Sequence, residues 1–321
     1  MLRILHDTKY DFIRWWRVMA GLTIAFIVIG LVALFVEGGF NYSVDFTGGT
    51  VMQLTFKEPP DVAKIRAALD AGKAKGAEIQ QFGDAREYMV RIKGDTSQTG
   101  AEKASQEIKK DIATVVGEQG FRVDRSEVVG PRVGAELRRG AILAILVSFA
   151  ITLVYLAWRF EWRFGLAAVM ATAHDILTTI AFLAMLRLEL SLTVVAGLLT
   201  VLGYSLNDTI IIFDRVRENL RRNRKEPLYD TLNRSVNETL PRSVLTHLTV
   251  LIATLALLIF AGEVIRPFAW VMAFGVFTGT FSSIYVASPL LMWIEHKYPR
   301  PVESGKAPVA TVSRASTSGA R

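Results

Sequence analysis

The apolar positions divide the chain into two kinds of segment. Six stretches, at roughly 16–36, 140–158, 163–186, 190–213, 243–261 and 267–291, are apolar over windows of about 19 residues, long enough to cross a ~30 Å hydrocarbon core. Between the first two the pattern turns mixed. "GTVMQLTFK" (49–57) alternates as a strand does, and "DVAKIRAALDAGKAKG" (61–76) sets Val62, Ile65, Ala68 and Leu69 at helical spacing behind Asp61, an N-cap residue. "AEIQQF" (77–82) and "REYMVRIK" (86–93) read as strands joined through Gly83-Asp84. A second helix, about 99–119, stops at Gly120, and "FRVDRSEVV" (121–129) is a last strand. The expected fold is an α-helical polytopic membrane protein with six transmembrane helices. Its βαββαβ order between helices 1 and 2 predicts an α+β ferredoxin-like domain over 37–139.

Composition supports the membrane assignment. Of 321 residues 51% are hydrophobic, and mean hydropathy is +0.33. The first span follows Arg14 and Arg17 but exceeds a 7–15-residue signal core, and Glu37-Gly38-Gly39 is no cleavage site, so 16–36 is expected as a retained anchor after a tail 1–15. The net charge of +7 is unevenly spread. Basic residues crowd the N-terminal tail (Arg3, Lys9), the link with Arg159 and Arg163, a loop expected over 214–242 and the tail 292–321 with His296, Lys297, Arg300 and Lys306. The positive-inside rule puts these in the cytoplasm, with both termini, and puts the turns at Arg187-Leu188-Glu189 and Gly262-Glu263 outside. Segment 37–132 is close to neutral, so the basic pI reflects topology and not a nucleic-acid footprint. With no cysteine, disulfides and thiolate chemistry are excluded. The Ser-, Ala- and Gly-rich end after Pro301 reads as disordered.

Polar residues inside the spans are the candidate chemistry, because a charge at bilayer depth costs about 2.5–3.5 kcal/mol on insertion scales. Span three places His174 and Asp175 near mid-membrane, with Thr172, Asp175 and Thr179 on one helical face. Asp175 is either functional or a hydrogen-bond acceptor for a neighbouring helix. In span four Thr193, Gly197, Thr200, Tyr204 and Asp208 form a stripe expected to face the bundle interior, with Asn207 preceding Asp208. Asp214 and Arg215 fall at the water boundary. Span five puts Arg242, Thr246, Thr249 and Ala253 on one face, with His247 beside it. Spans four and five run antiparallel, so Asp208 lies at the depth of Arg242 and His247, which permits an Asp208–Arg242 salt bridge; the other reading is that Arg242 snorkels to the interface. An Asp whose Arg partner approaches and retreats is a switchable proton site. Gly275, Gly279 and Ser282 in span six have the spacing of tight helix packing.

Two motifs border the mixed segment. "SVDFTGGT" (43–50) sets Asp45 and Phe46 before Gly48-Gly49, a pair that permits positive φ where the first span feeds the domain. "GPRVGAELRRGA" (130–141) closes the domain at Gly130-Pro131 and carries Arg138-Arg139 to the mouth of span two. From the residues alone, each reads first as a linker turn.

Taken together, "VDFTGG" (44–49), "GPRVGAELRRGA" (130–141), "AHDI" (173–176), "LNDTIIIFDRVREN" (206–219) and the Arg242-bearing start of span five resemble the SecF family, of the bacterial SecDF protein-translocation accessory complex. The family belongs with the resistance-nodulation-division transporters. The resemblance covers about residues 10–296. It implies a non-enzymatic, proton-motive-force-coupled aid to protein export in the bacterial inner membrane, partnered by SecD, the SecYEG channel, YajC and the translocating preprotein, with no cofactor and no metal. It carries the family's proton-path residues onto Asp208, Arg242 and Asp175. The chain departs from the family's threonine/serine run after Arg242, reading Thr246-His247-Leu248-Thr249. His247 therefore either joins the proton path or stands in for a hydroxyl. The alternatives from other classes are a half-size exporter of small or lipidic solutes and a membrane-embedded enzyme using His174-Asp175. No HExxH or GxSxG motif supports the enzyme.

Overall fold

The computed structural model describes residues 8–72, 74, 77–81, 83–92, 98–223, 225–261 and 265–299. The Gly262-Glu263 turn and the tail beyond Pro301 lie outside them. Helix α1 (Trp16–Val36) follows a short 3₁₀ turn, and α2 (Val44–Thr47) leads into an α+β unit: β1 (Gly49–Phe56), α3 (Val62–Ala71), β2 (Glu78–Gln81), β3 (Glu87–Ile92), α4 (Gln98–Val116) and β4 (Phe121–Val129). Five long segments follow: α5 (Pro131–Arg159), α6 (Trp162–Met185), α7 (Leu192–Arg222), α8 (Leu228–Phe260), and α9 (Arg266–Ser282) continued by a π-helical turn 283–287 into α10 (Ser288–Lys297). Six helical segments, the last being α9 to α10, are long and apolar enough to cross a membrane.

The α+β unit forms because β1 alternates. Met52, Leu54 and Phe56 point to one face, where Ile65 and Leu69 of α3 and Ile108 and Ile112 of α4 cover them. All pairings are antiparallel in the order β2-β3-β1-β4. The Asp61 side chain accepts from the backbone N–H groups of Ala63 and Lys64, capping α3 as its residue type predicts.

In the helical bundle α6, α7 and α9 occupy the centre, and α1, α5 and α8 present apolar residues such as Leu22, Ile151 and Ile252 outward. Outward leucine and isoleucine are what a lipid-solvated helix shows. The centre is tight because glycines let helices touch. A Cβ added at Gly275 of α9 would lie 2.2 Å from Val201 of α7, and one at Gly30 of α1 would lie 2.3 Å from the Ala181 Cβ of α6.

Two expected loops are helical. Segment 214–242 is the continuation of α7 and the start of α8, with only 223–227 between them. Val216, Asn219, Leu232 and Val236 give it a buried face that a count of charges overlooks. "GPRVGAELRRGA" likewise begins α5: Pro131 starts the helix, where a missing N–H is no loss. At the same basic end of the bundle, residues 10–13 lie across α8. Asn237 both donates to the Tyr10 carbonyl and accepts from its N–H (2.8 and 2.9 Å), and the Ile13 N–H donates to Asn233 at 3.0 Å. The Tyr229 hydroxyl donates to Asp11 at 2.6 Å and, with the Asn233 amide, holds that carboxyl below its ordinary range.

Candidate functional site

Two carboxylates are buried where the bundle is thickest. Asp175 is wholly inaccessible, on the α6 face that the 172/175/179 spacing predicts. Its Oδ2 accepts hydrogen bonds from Ser205 of α7 and, at 2.7 Å, from Ser282 at the end of α9. Its Oδ1 lies 3.1 Å from His174 Nδ1, and His174 Nε2 lies 2.6 Å from the Thr23 hydroxyl of α1. One hydrogen bond thus joins the His174 ring to Asp175 and a second joins it to the Thr23 hydroxyl. One acid thereby ties four helices together.

Asp208, three residues beyond Ser205, is 3% exposed. Ser243 of α8 donates to its Oδ1 at 2.5 Å, and its Oδ2 has no hydrogen-bond partner among the described residues. Ser283 stands alongside, its hydroxyl hydrogen donated to the Gly279 carbonyl at 2.9 Å and its oxygen 2.9 Å from Thr209. Adjacent serines 282 and 283 both point inward because the helix is π-helical over 283–287. Pro289, which lacks the N–H that would bond to residue 285, accounts for the wider turn.

The expected Asp208–Arg242 salt bridge is not formed. Arg242 is exposed at the basic end, lining cavities of about 880 and 470 Å³. Successive helical residues diverge by about 100°, so Arg242 and Ser243 face different ways. The Ser243–His247–Thr254 face of α8 is buried, and the Arg242–Thr246–Thr249–Ala253 face is turned outward. The span-four stripe is rotated in the same sense. Thr200 and Asn207 are exposed and Tyr204 is half-buried, while Val201, Ser205 and Asp208 face the core. The cause is the close approach of α9, whose Gly275 and Gly279 sit on Val201 and Ser205.

Sequence reasoning missed Thr23, Ser205, Ser243 and Ser283. One usable signal was present: Ser205 lies three residues from Asp208 within an apolar span, hence on the same helical side. Nothing in the sequence pairs Ser243 with Asp208. Among the described residues no cluster of three or more histidines and carboxylates could hold a metal.

The motif before β1 is joined to the same helices. Gly48 and Gly49 take φ of 72° and 143°, and a Cβ at Gly49 would strike the Ile92 carbonyl at 2.5 Å. Phe46 is buried, with its carbonyl against Gly134 of α5. The Asp45 carboxylate accepts from the N–H of Leu192, the first residue of α7, at 3.0 Å. An anion is favoured at a helix N-terminus, so Asp45 reinforces the cap that Ser191 makes through Val194 N–H. The preceding turn is held as well. The Ser43 N–H donates to the Leu190 carbonyl at 2.9 Å, Leu190 N–H to Asn41 at 2.7 Å, Arg187 pairs with Glu37, and Glu189 pairs with Arg91 of β3.

The chain matches the family model described as "Protein export membrane protein SecD/SecF, C-terminal" over residues 108–297, and the "SecD/SecF GG Motif" over 33–60. It is 57% identical to the protein translocase subunit SecF of Gemmatimonas aurantiaca, covering 100% of this chain and 98% of that one. Identity to SecF of Escherichia coli O157:H7 is 38%, over 93% of each chain. A crystal structure of SecDF, described as a translocon-associated membrane protein from Thermus thermophilus, matches with a TM-score of 0.81 at 38% identity, covering 92% of this chain and 40% of that longer one. SecDF in a super-membrane-facing form gives 0.67 at 37% identity over the same shares. With identity and coverage almost equal, the lower score means that the two SecDF structures arrange the matched parts differently.

Proposed function

This chain belongs to the SecD/SecF family of protein export membrane proteins, and from that membership we propose that it is a proton-motive-force-coupled accessory subunit of the Sec protein translocase. It sits in the bacterial inner membrane with both termini in the cytoplasm and partners SecD. The SecDF chain that it matches over 40% leaves length for such a partner bundle. The wider assembly in this reading includes SecYEG, YajC and the preprotein. Its α+β unit, whose strand order is the ferredoxin-like one, stands on the periplasmic face.

The observation that carries the reading is Asp208. Its carboxyl is buried in a membrane-spanning helix, held at one oxygen by Ser243 and unpartnered at the other. A buried carboxyl is far easier to keep neutral than charged, so gaining or losing a proton there changes the relative stability of neighbouring helix arrangements. A membrane potential supplies about 2.3 kcal/mol per charge per 100 mV, enough to bias a conformational equilibrium of a few kcal/mol. Asp45 and the α6–α7 turn are the mechanical link, because one end of α7 is capped from the domain side and its middle carries the acid. Exposed Asn207 and Thr200 lie within the spanning part of α7. A polar stripe there is costly against lipid and fits the surface of a second bundle. Arg242, exposed beside the two basic-end cavities, we assign to the proton route between water and Asp208. Asp175 we assign to holding the bundle together.

The test is gradient-driven completion of preprotein export in inverted membrane vesicles containing SecD and the Asp208→Asn variant. Loss of the gradient-dependent stage, with the variant still assembled with SecD, is expected; normal export by that variant would sink the proton role.

A further inference from the structure

Three buried polar atoms without a hydrogen-bond partner among the described residues lie along one seam between α7 and α8: Tyr204 Oη, Asp208 Oδ2 and His247 Nε2. Tyr204 is one turn before Asp208 on α7, and His247 one turn after Ser243 on α8. The helices are antiparallel, so the two pairs stack in levels. Asp208 meets Ser243 at one level, and one turn deeper the Tyr204 ring stands edge-on to His247, with centroids 5.1 Å apart. Native interiors rarely leave a polar atom unpaired, and three in one place mark a site that exchanges protons or holds water.

The tautomer of His247 follows from its one bond. Nδ1 lies 2.6 Å from the Ser243 carbonyl, which has no hydrogen, so Nδ1 donates. With Nδ1 so engaged, a neutral ring has its lone pair at Nε2, the buried atom without a partner among the described residues. We propose that His247 is a second proton carrier of this chain, taking at Nε2 the proton that leaves Asp208, either through the Tyr204 hydroxyl or through a water held among the three atoms. The proposal rests on the proton reading of Asp208 given above.

The transfer balances. Asp208 loses one proton to become a carboxylate, His247 gains it to become an imidazolium, and Nδ1 keeps its bond to Ser243 throughout. The pair carries no net charge before or after, which avoids an uncompensated charge in the bundle. Release of the proton from His247 returns the ring to its starting tautomer. The groups facing the site are few. From α7 come Asp208 and Tyr204; on α8 Arg242 is turned outward; α9 contributes uncharged residues at this level, its one ionisable residue being Arg266 at the far end. His174 serves the Asp175 knot through Thr23 and is not part of this seam.

The experiment uses the full chain with SecD in vesicles. Gradient-driven export is measured from pH 5.5 to 9 for the unsubstituted protein, His247→Ser, His247→Gln and Asp208→Asn. Removing a positioned proton carrier costs on the order of 100-fold or more in rate. We expect both His247 variants to lose about 100-fold in the gradient-driven rate and one limb of the pH profile, with the gradient-independent stage unchanged. His247→Gln keeps a side-chain amide donor, so it controls for a merely structural loss if His247→Ser fails to assemble. A pH profile for His247→Gln that superimposes on that of the unsubstituted chain overturns the inference while leaving Asp208 intact. Normal export by Asp208→Asn overturns the underlying reading instead. In parallel, imidazole NMR signals identified by their disappearance in His247→Gln are expected to titrate, and to titrate at a different pH in Asp208→Asn. A His247 signal indifferent to the state of residue 208 also overturns it.

Discussion

Asp175 and Asp208 are both aspartates buried in adjacent helices, yet their surroundings differ. Asp175 has both oxygens engaged, by Ser205, Ser282 and His174, and its network reaches α1 through Thr23. Asp208 has one oxygen engaged, by Ser243, while beside the other stands the Ser283 hydroxyl, which also bonds the Gly279 carbonyl and Thr209. A fully satisfied carboxylate is expensive to disturb and therefore suits a fixed joint. One held at a single oxygen is tied less firmly to one arrangement, and in the reading proposed above it can exchange its proton as the helices shift. In the proposed reading, the number of hydrogen bonds each acid accepts, more than its residue type, is what separates Asp175 from Asp208.

The largest break in that comparison comes from exchanging what each acid loses. Asp208→Asn is expected to abolish gradient-driven export with little change in thermal unfolding in detergent. Asp175→Ala is expected to act the other way. It leaves two serine hydroxyls and an imidazole without their acceptor, each a loss of about 1–3 kcal/mol, and a lowered unfolding temperature will register it. Asp175→Asn, which retains an acceptor oxygen, should keep most of the export activity; complete loss of export in a stable Asp175→Asn protein would erase the distinction. Next in size is Gly275→Ala. Its Cβ would lie 2.2 Å from buried Val201, so α7 and α9 must separate one turn from Ser205, which binds Asp175, costing about 1–3 kcal/mol by overpacking. Both acids should feel it, seen as lowered stability together with reduced export.

Smaller effects mark the ends of α7 and the strap across α8. Asp45→Ala removes an anionic cap from the Leu192 N–H and should cost about 1 kcal/mol locally, read as faster hydrogen exchange at residues 192–194. Export is expected to fall while Asp175→Asn, tested beside it, holds. The smallest effect concerns Asp11, whose carboxyl the Tyr229 hydroxyl and Asn233 amide hold below its ordinary range. A depressed acid contributes stability above its unfolded pKa of about 3.9, lost as pH falls through the lower folded value. Acidification below about pH 4 should therefore loosen the segment 10–13 from α8, followed by its protease sensitivity, and Asp11→Asn should remove most of that pH dependence.

Much of this was legible in the chain. The six spans, the alternating strands, the Asp61 cap, the positive-φ glycines and the small-residue packing of Gly275 and Gly279 each follow from local rules of period and backbone freedom. Asp208 and Asp175 were conspicuous because charge in an apolar run is rare. The rotational setting of the helices was not legible. Thr200 and Arg242 were expected on working faces and are exposed, and the partners of the acids are serines that hydropathy scarcely distinguishes from their neighbours. A shift of one residue, about 100°, separates Arg242 from Ser243, and no local rule resolves that angle.

By itself the sequence determined which segments are long and apolar enough to cross a membrane, where an α+β unit interrupts them and which residues carry charge into the apolar runs, since those depend on the length and pattern of apolar residues along one strand of chain. The tertiary structure alone decided that Asp208 accepts from Ser243 and makes no ion pair with Arg242, and that Asp45 caps the helix bearing it. The reason is physical. Helix rotation is set by where glycines on one helix admit side chains of another, and hydrogen bonds between residues 35 or 147 positions apart exist only once that packing is complete.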